Sequence, residues 1–142
     1  MKIFLDTSSL IKLYHPEIGT VELDKIFAGN AIHEIFLSDI TKIEFASAIW
    51  KKVRTKDLTA DEANDLISSF NNDYEKFTFI DVDQEMILCA RELVSKYGLK
   101  GLRTLDSIQL ASSLNVKSVL SFAITADDLL KSFVESEGIK TK

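Results

Sequence analysis

The sequence predicts an α/β fold built on a mostly parallel central sheet. Short runs rich in Ile, Val and Phe recur along the chain, and the longer stretches between them place their apolar residues at helical rather than alternating spacing. Strands separated by helices in this way assemble as a parallel sheet with helices packed on it. The chain is 142 residues long with one Pro and five scattered Gly, so a single domain over residues 1–142 is expected, without a linker.

The first strand is expected at Lys2–Leu5 and ends in Asp6-Thr7-Ser8-Ser9, an acid followed by three hydroxyls. Helices are expected at Thr7–Tyr14 and Thr20–Ala28, then a strand at His33–Ser38. Next comes "SDITKIEFASAIWKKV", read as a helix over Ile40–Arg54 with Ser38 or Asp39 as its cap and Ile40, Ile43, Ala48 and Trp50 toward the interior. A second helix over Ala60–Tyr74 makes a hairpin with it, turning at Lys56-Asp57-Leu58-Thr59. A strand at Phe77–Asp81 and helices at Asp83–Tyr97 and Leu105–Leu114 follow, the last with Thr104 as its cap. The final strand-helix pair is expected at Ser118–Thr125 and Ala126–Ser136. No internal repeat is present.

Composition narrows the function. With 46% hydrophobic and 27% charged residues the chain reads as a globular protein, and no apolar segment reaches the roughly 18 to 20 residues of a membrane span. Without a secretory signal, a cytoplasmic location is expected. Cys89 stands alone, which excludes a disulfide framework and a cysteine zinc site, and His15 and His33 are far apart. The net charge of −5 argues against broad electrostatic capture of nucleic acid, so a polyanionic substrate would need local help such as a bound cation.

Four acids stand at strand ends and helix starts. Asp6 closes the first strand, where an open parallel sheet collects its ligands; it also suits a helix cap. Glu44 has Ile40 and Ala48 as its i−4 and i+4 neighbours, and it equally suits a solvated first-turn glutamate. Asp106 near a helix start, with Arg103 at i−3, has a structural account through the helix dipole. In "ITADDLL", Thr125 as the cap would put Asp128 at the capping-box position and leave Asp127 over as the better site candidate. Like charges brought together raise one another's pKa unless a cation sits among them, and hard oxygen ligands without His or Cys select Mg²⁺ or Mn²⁺.

These stretches, "FLDTSSLIKLYHPEIGT", "SDITKIEFASAIWKK", "LRTLDSIQLASSL" and "ITADDLL", taken in order, resemble the PIN domains and within them the VapC-type toxins of toxin-antitoxin pairs. The resemblance implies a three-layer α/β/α sandwich whose acids bind Mg²⁺ or Mn²⁺ and cut RNA. It carries the family's acids onto Asp6, Glu44, Asp106 and Asp127, with Asp6, Asp106 and Asp127 as metal ligands and Asp128 as a less favoured substitute for the last. Thr7 and Thr125 fall where hydroxyls support the acids. Lys51, Arg54 and Arg103 lead the candidates for RNA phosphate contacts, followed by Lys52, Lys56 and Lys100. The resemblance further implies a protein antitoxin, a homodimer to which Phe27, Trp50, Phe70 and Tyr74 could contribute, and a short last strand within Ile139–Lys142. Two alternatives stand beside it. An aspartyl-phosphate phosphatase resembles D-x-D after the first strand, where this chain has Ser8; a PIN-like module could bind RNA or protein with little cleavage.

Overall fold

A computed structural model describes residues 1–142 as a four-stranded sheet between two layers of helices. The order is β1 (Lys2–Leu5), α1 (Thr7–Tyr14), α2 (Thr20–Ala28), β2 (Glu34–Ser38), α3 (Thr41–Arg54), α4 (Ala60–Asn72), β3 (Thr78–Ile80), α5 (Gln84–Tyr97), α6 (Thr104–Asn115), β4 (Phe122–Ile124) and α7 (Asp128–Ser136). Every strand pair is parallel and the spatial order is β3-β2-β1-β4. The chain leaves β1 for β2 on one side and returns to β4 on the other, so the sheet's switch point lies at the carboxyl end of β1.

Strand alternation divides the interior into two cores. Ile3, Leu5, Leu37, Phe122 and Ile124 point toward α1 to α4, joining Leu10, Phe45, Ile49 and Phe70. Phe4, Phe36, Ile80 and Ala123 point the other way, toward Met86, Leu93, Leu110 and Phe133 on α5, α6 and α7. This is the expected three-layer sandwich. The first core centres on Phe45 and Phe70, whose rings lie 4.6 Å apart with Tyr14 edge-on to both. Burying each ring contributes about 1.5–3 kcal/mol, and truncating either to Ala would cost about 3–5 kcal/mol.

Several local expectations are corrected. On α3 the buried residues are Thr41, Phe45 and Ile49, whereas Ile43 is 71% and Trp50 36% exposed. Apolar residues lie all round this helix, and the aromatic cluster beneath it selects the phase that buries Phe45. Neither Ser38 nor Asp39 caps it, because Ser38 is buried and accepts the Ser112 hydroxyl at 2.8 Å while Asp39 pairs with Lys42. Thr104 begins α6 without capping it. Strand β4 starts four residues late, since Lys117, Val119 and Leu120 give their N–H groups to carbonyls three residues back and have none left for a ladder. The expected last strand reduces to one parallel bridge between Ala123 and Thr141. Phe70, only 1% exposed, belongs to the core and offers nothing to a second copy. No helix is long and apolar enough to cross a membrane.

Candidate active site

The register of β1 on β4 pairs Leu5 with Ile124, which sets Asp6 beside Thr125 at the sheet's switch point. Asp6 is only 4% exposed. Its Oδ1 accepts the Ser9 N–H at 2.9 Å and so caps α1, while Oδ2 accepts the hydroxyls of Ser8 at 2.7 Å and Thr125 at 2.6 Å. The capping and site readings of this residue are therefore compatible. Burial raises the Asp6 pKa, and the hydrogen bonds from Thr125, Ser8 and Ser9 counter part of the rise.

The last strand end is organised differently from the sequence expectation. Thr125 does not cap α7, because its hydroxyl hydrogen goes to Asp6 while its oxygen accepts the Asp127 N–H at 3.1 Å. Asp127 is the cap, through Oδ1 to the Leu130 N–H at 2.8 Å. Asp128 opens the helix and is exposed. Of the two acids, Asp127 is the one whose charge reaches Asp106.

Glu44, half-buried on α3, turns inward. Its Oε1 accepts the Gln109 side-chain amide at 2.6 Å and the Thr7 hydroxyl at 3.0 Å. Burial raises the Glu44 pKa, Gln109 and Thr7 lower it, and the charges of Asp6 and Asp106 raise it again. Asp106 on α6 is likewise raised, first by burial and then by Asp127 and Asp6, against the pull of Arg103. Asp106 thus feels the charges of Asp127 and Asp6, and Glu44 those of Asp6 and Asp106, although the four acids come from four separate segments. Thr41 and Gln109, both buried, complete the network: the Gln109 amide also lies 3.0 Å from the Thr7 hydroxyl and 3.1 Å from that of Thr41. Sequence reasoning did not single out Ser8, Thr41 or Gln109. The available signal for Gln109 was an amide one helical turn after Asp106 among Ile108, Leu110 and Ala111.

The donor set fits a hard divalent cation in kind. It consists of carboxylate oxygens without His or Cys, and the repulsion that neighbouring carboxylates add to burial at Glu44 and Asp106 would be relieved by positive charge. No three such side chains stand close enough to form a ready-made metal group. The two histidines take no part, since His15 ends α1 and His33 meets the N-terminal amine at 2.6 Å.

Basic side chains flank the acids. Exposed Lys51 and Arg54 share with Glu44, Ile43 and Leu105 a cleft of about 470 Å³. Lys51 and Ala48 also border a neighbouring cleft of about 410 Å³ that reaches Ser8. Lys52 lies in this second cleft but is held by Glu17 at 2.8 Å. Arg103 is exposed beside Asp106. A larger concavity, about 660 Å³, lies elsewhere, between β3 and helices α5 and α6. Coupled acids, not cavity size, mark the candidate site.

The PIN-domain family model matches residues 3–134, and the chain belongs to that family. Its fold is similar to VapC20 of Mycobacterium tuberculosis, a sarcin-ricin loop cleaving toxin, with a TM-score of 0.71 at 14% identity over 96% of this chain and 95% of that one. It is similar to FitAcB of Neisseria gonorrhoeae, with a TM-score of 0.72 at 15% identity over 98% and 95%. A toxin-antitoxin complex from Klebsiella pneumoniae gives a TM-score of 0.62 at 19% identity over 88% and 86%. No curated protein matches the chain in sequence.

Proposed function

We propose that this chain is a divalent-metal-dependent endoribonuclease acting in the cytoplasm as the toxin of a type II toxin-antitoxin pair, with residues 1–142 working as one domain. The observation that carries the reading is the coupled set of Asp6, Glu44, Asp106 and Asp127 at the carboxyl ends of β1 and β4 and the starts of α3 and α6. Family membership supports a nuclease, and toxins among its structural neighbours support the biological role.

Asp6, Asp106 and Asp127 would hold Mg²⁺ or Mn²⁺, which when bound supplies charge neutralisation for the phosphate and Lewis acidity toward water. With Asp106 counted among the metal ligands, Glu44 would take the proton of the attacking water: unlike Asp6 and Asp127 it caps no helix, and its proton affinity is raised. The new bond joins water oxygen to phosphorus, the bond to the leaving ribose oxygen breaks, and that oxygen takes up a proton. Thr7 and Thr125 hold Glu44 and Asp6 in place, and Lys51, Arg54 and Arg103 contact phosphates of an unpaired strand. A protein antitoxin would close the acidic site with a cationic side chain. A second copy of the chain would use exposed Trp50 and its surroundings, with Phe27 and Tyr74 only partly available.

The test is cleavage of a mixed RNA pool with Mg²⁺, Mn²⁺ or chelator. The expected result is metal-dependent cutting by wild type that is lost in Asp6→Asn and Asp106→Asn. Folded, partner-free protein that cuts nothing under any metal would favour a binding module instead.

A further inference from the structure

Gln109 is an unusual residue to bury on α6. It is 3% exposed, has Ile108, Leu110 and Ala111 as buried neighbours along the helix, and sits one turn beyond Asp106. Its amide nitrogen is within hydrogen-bond distance of three oxygens, the shortest contact being 2.6 Å to Glu44 Oε1. Its amide oxygen, equally buried, has no hydrogen-bond partner. A short contact to a carboxylate fixes which end of the amide is the nitrogen, since the reverse orientation would set oxygen against oxygen. The unpaired acceptor is a standing cost that an apolar residue of the same size would avoid. Packing alone gives no reason to keep an amide here; its contact with Glu44 does.

The directions of the surrounding hydrogen bonds strengthen this reading. An ionised carboxylate only accepts, so Gln109 and the Thr7 hydroxyl both donate to Glu44 Oε1. With Oε1 held from two sides by β1–α1 and α6, the second carboxylate oxygen of Glu44 is fixed in direction. The anchor spans three elements: Thr7 begins α1, Thr41 and Glu44 lie on the first turn of α3, and Gln109 lies on α6.

We propose that Gln109 is a positioning residue for Glu44, holding its carboxylate aimed so that the free oxygen faces the reacting water. This rests on the ribonuclease reading above, and the experiments are chosen so that the two can fail separately.

The near-isosteric Gln109→Met removes the donor and keeps the volume. Compared with wild type, its kcat for RNA cleavage is expected to fall about 10- to 30-fold with KM changed less than about 2-fold, as loss of a charge-assisted hydrogen bond to a reacting group implies. In a Glu44→Ala background the same substitution should change kcat by less than about 2-fold, because the residue it acts through is gone. Equal losses in both backgrounds would overturn the proposal and leave Gln109 a structural residue. A readout independent of cleavage covers the case in which Gln109→Met does not fold or wild type cuts no RNA. In isotope-labelled wild type, one Gln109 side-chain amide proton should resonate downfield and exchange slowly, and Glu44→Ala should abolish both properties. Two averaged, fast-exchanging amide protons in wild type, or a signal unmoved by Glu44→Ala, would equally overturn it.

Discussion

Replacing Thr125 by Val removes one hydroxyl from the centre of the site and nothing else of consequence to packing. Thr125 is 9% exposed, and its hydroxyl makes the 2.6 Å bond to Asp6 Oδ2. A hydrogen bond to a charged group contributes about 1.5–3 kcal/mol, whereas one to a neutral acid contributes about 0.5–1.5 kcal/mol. The Asp127 N–H loses its acceptor too, but in a half-exposed position that water can serve. The expected loss at neutral pH is therefore about 1.5–3 kcal/mol. For 142 residues the unfolding entropy is about 0.3 kcal/mol/K, so the melting temperature should drop by about 5–10 °C. The pH dependence carries the sharper test. Asp6 already has a folded pKa above its ordinary 3.8, and losing a donor to its charged form raises it further. The native variant thus holds protons that the unfolded chain has released, so its deficit is largest well above the folded pKa and shrinks by about half as pH falls through it. Thermal unfolding followed by circular dichroism in metal-free buffer at neutral pH and at an acid pH below the folded value of Asp6 reads this directly, with Thr125→Ser as the control that keeps the hydroxyl. A Val variant melting within about 2 °C of wild type at both pH values, or a Ser variant losing as much as Val, would refute the reasoning.

Asp6→Asn should abolish RNA cleavage yet raise the metal-free melting temperature at neutral pH by about 2–5 °C, because the amide removes a buried charge and the Ser8 and Thr125 hydroxyls can turn to accept from it. A melting temperature below wild type would contradict this. Wild-type stability should follow the same logic: Asp6, Glu44 and Asp106 have raised pKa values, so their contribution is full below the ordinary carboxylate range and is lost as pH rises through their folded values. Glu17 and Glu137, held down by Lys52 and Lys96 respectively, work in the opposite sense and lose their contribution below about pH 4.5. Denaturant titrations across pH should accordingly show a maximum on the acid side of neutrality, and a steady decline from pH 7 downward would exclude it. Lys51→Glu combined with Arg54→Glu should raise KM for RNA about 10-fold or more and flatten its salt dependence with little change in kcat, and a loss confined to kcat would remove both from the phosphate-contact role.

The layers of the fold were legible because alternating strands and helices constrain each other: the ends of β1 and β2 fall close to where apolar runs meet hydroxyls and acids. The phase of α3 was not legible. Ile40, Ile43 and Trp50 compete with Phe45 and Ile49 for the interior, and only the ring cluster of Tyr14 and Phe70, distant in sequence, decides between them. The four acids could be picked out locally, yet their meeting depends on the order in which β4 and β2 flank β1. Thr125 was misassigned as a cap because a hydroxyl before a helix has two possible partners, and the Asp6 carboxylate across the sheet outbids the backbone N–H on offer nearby. Gln109 escaped notice because a single amide in an apolar helix acquires meaning only from Thr7, Thr41 and Glu44, none of which is near it in sequence.

The pairing of the first strand with the last bears on timing during synthesis. Asp6 emerges early, but Thr125, which donates to it, lies 119 residues later, and β4 must be laid beside β1 before that bond can form. A ribosome part-way through the message therefore carries a chain whose first, second and third acids lack their closing partner. On the ribonuclease reading, the nascent chain stays harmless to the RNA that is translating it until nearly the whole sequence has been made, and the interval for an inhibitory partner to engage begins only then.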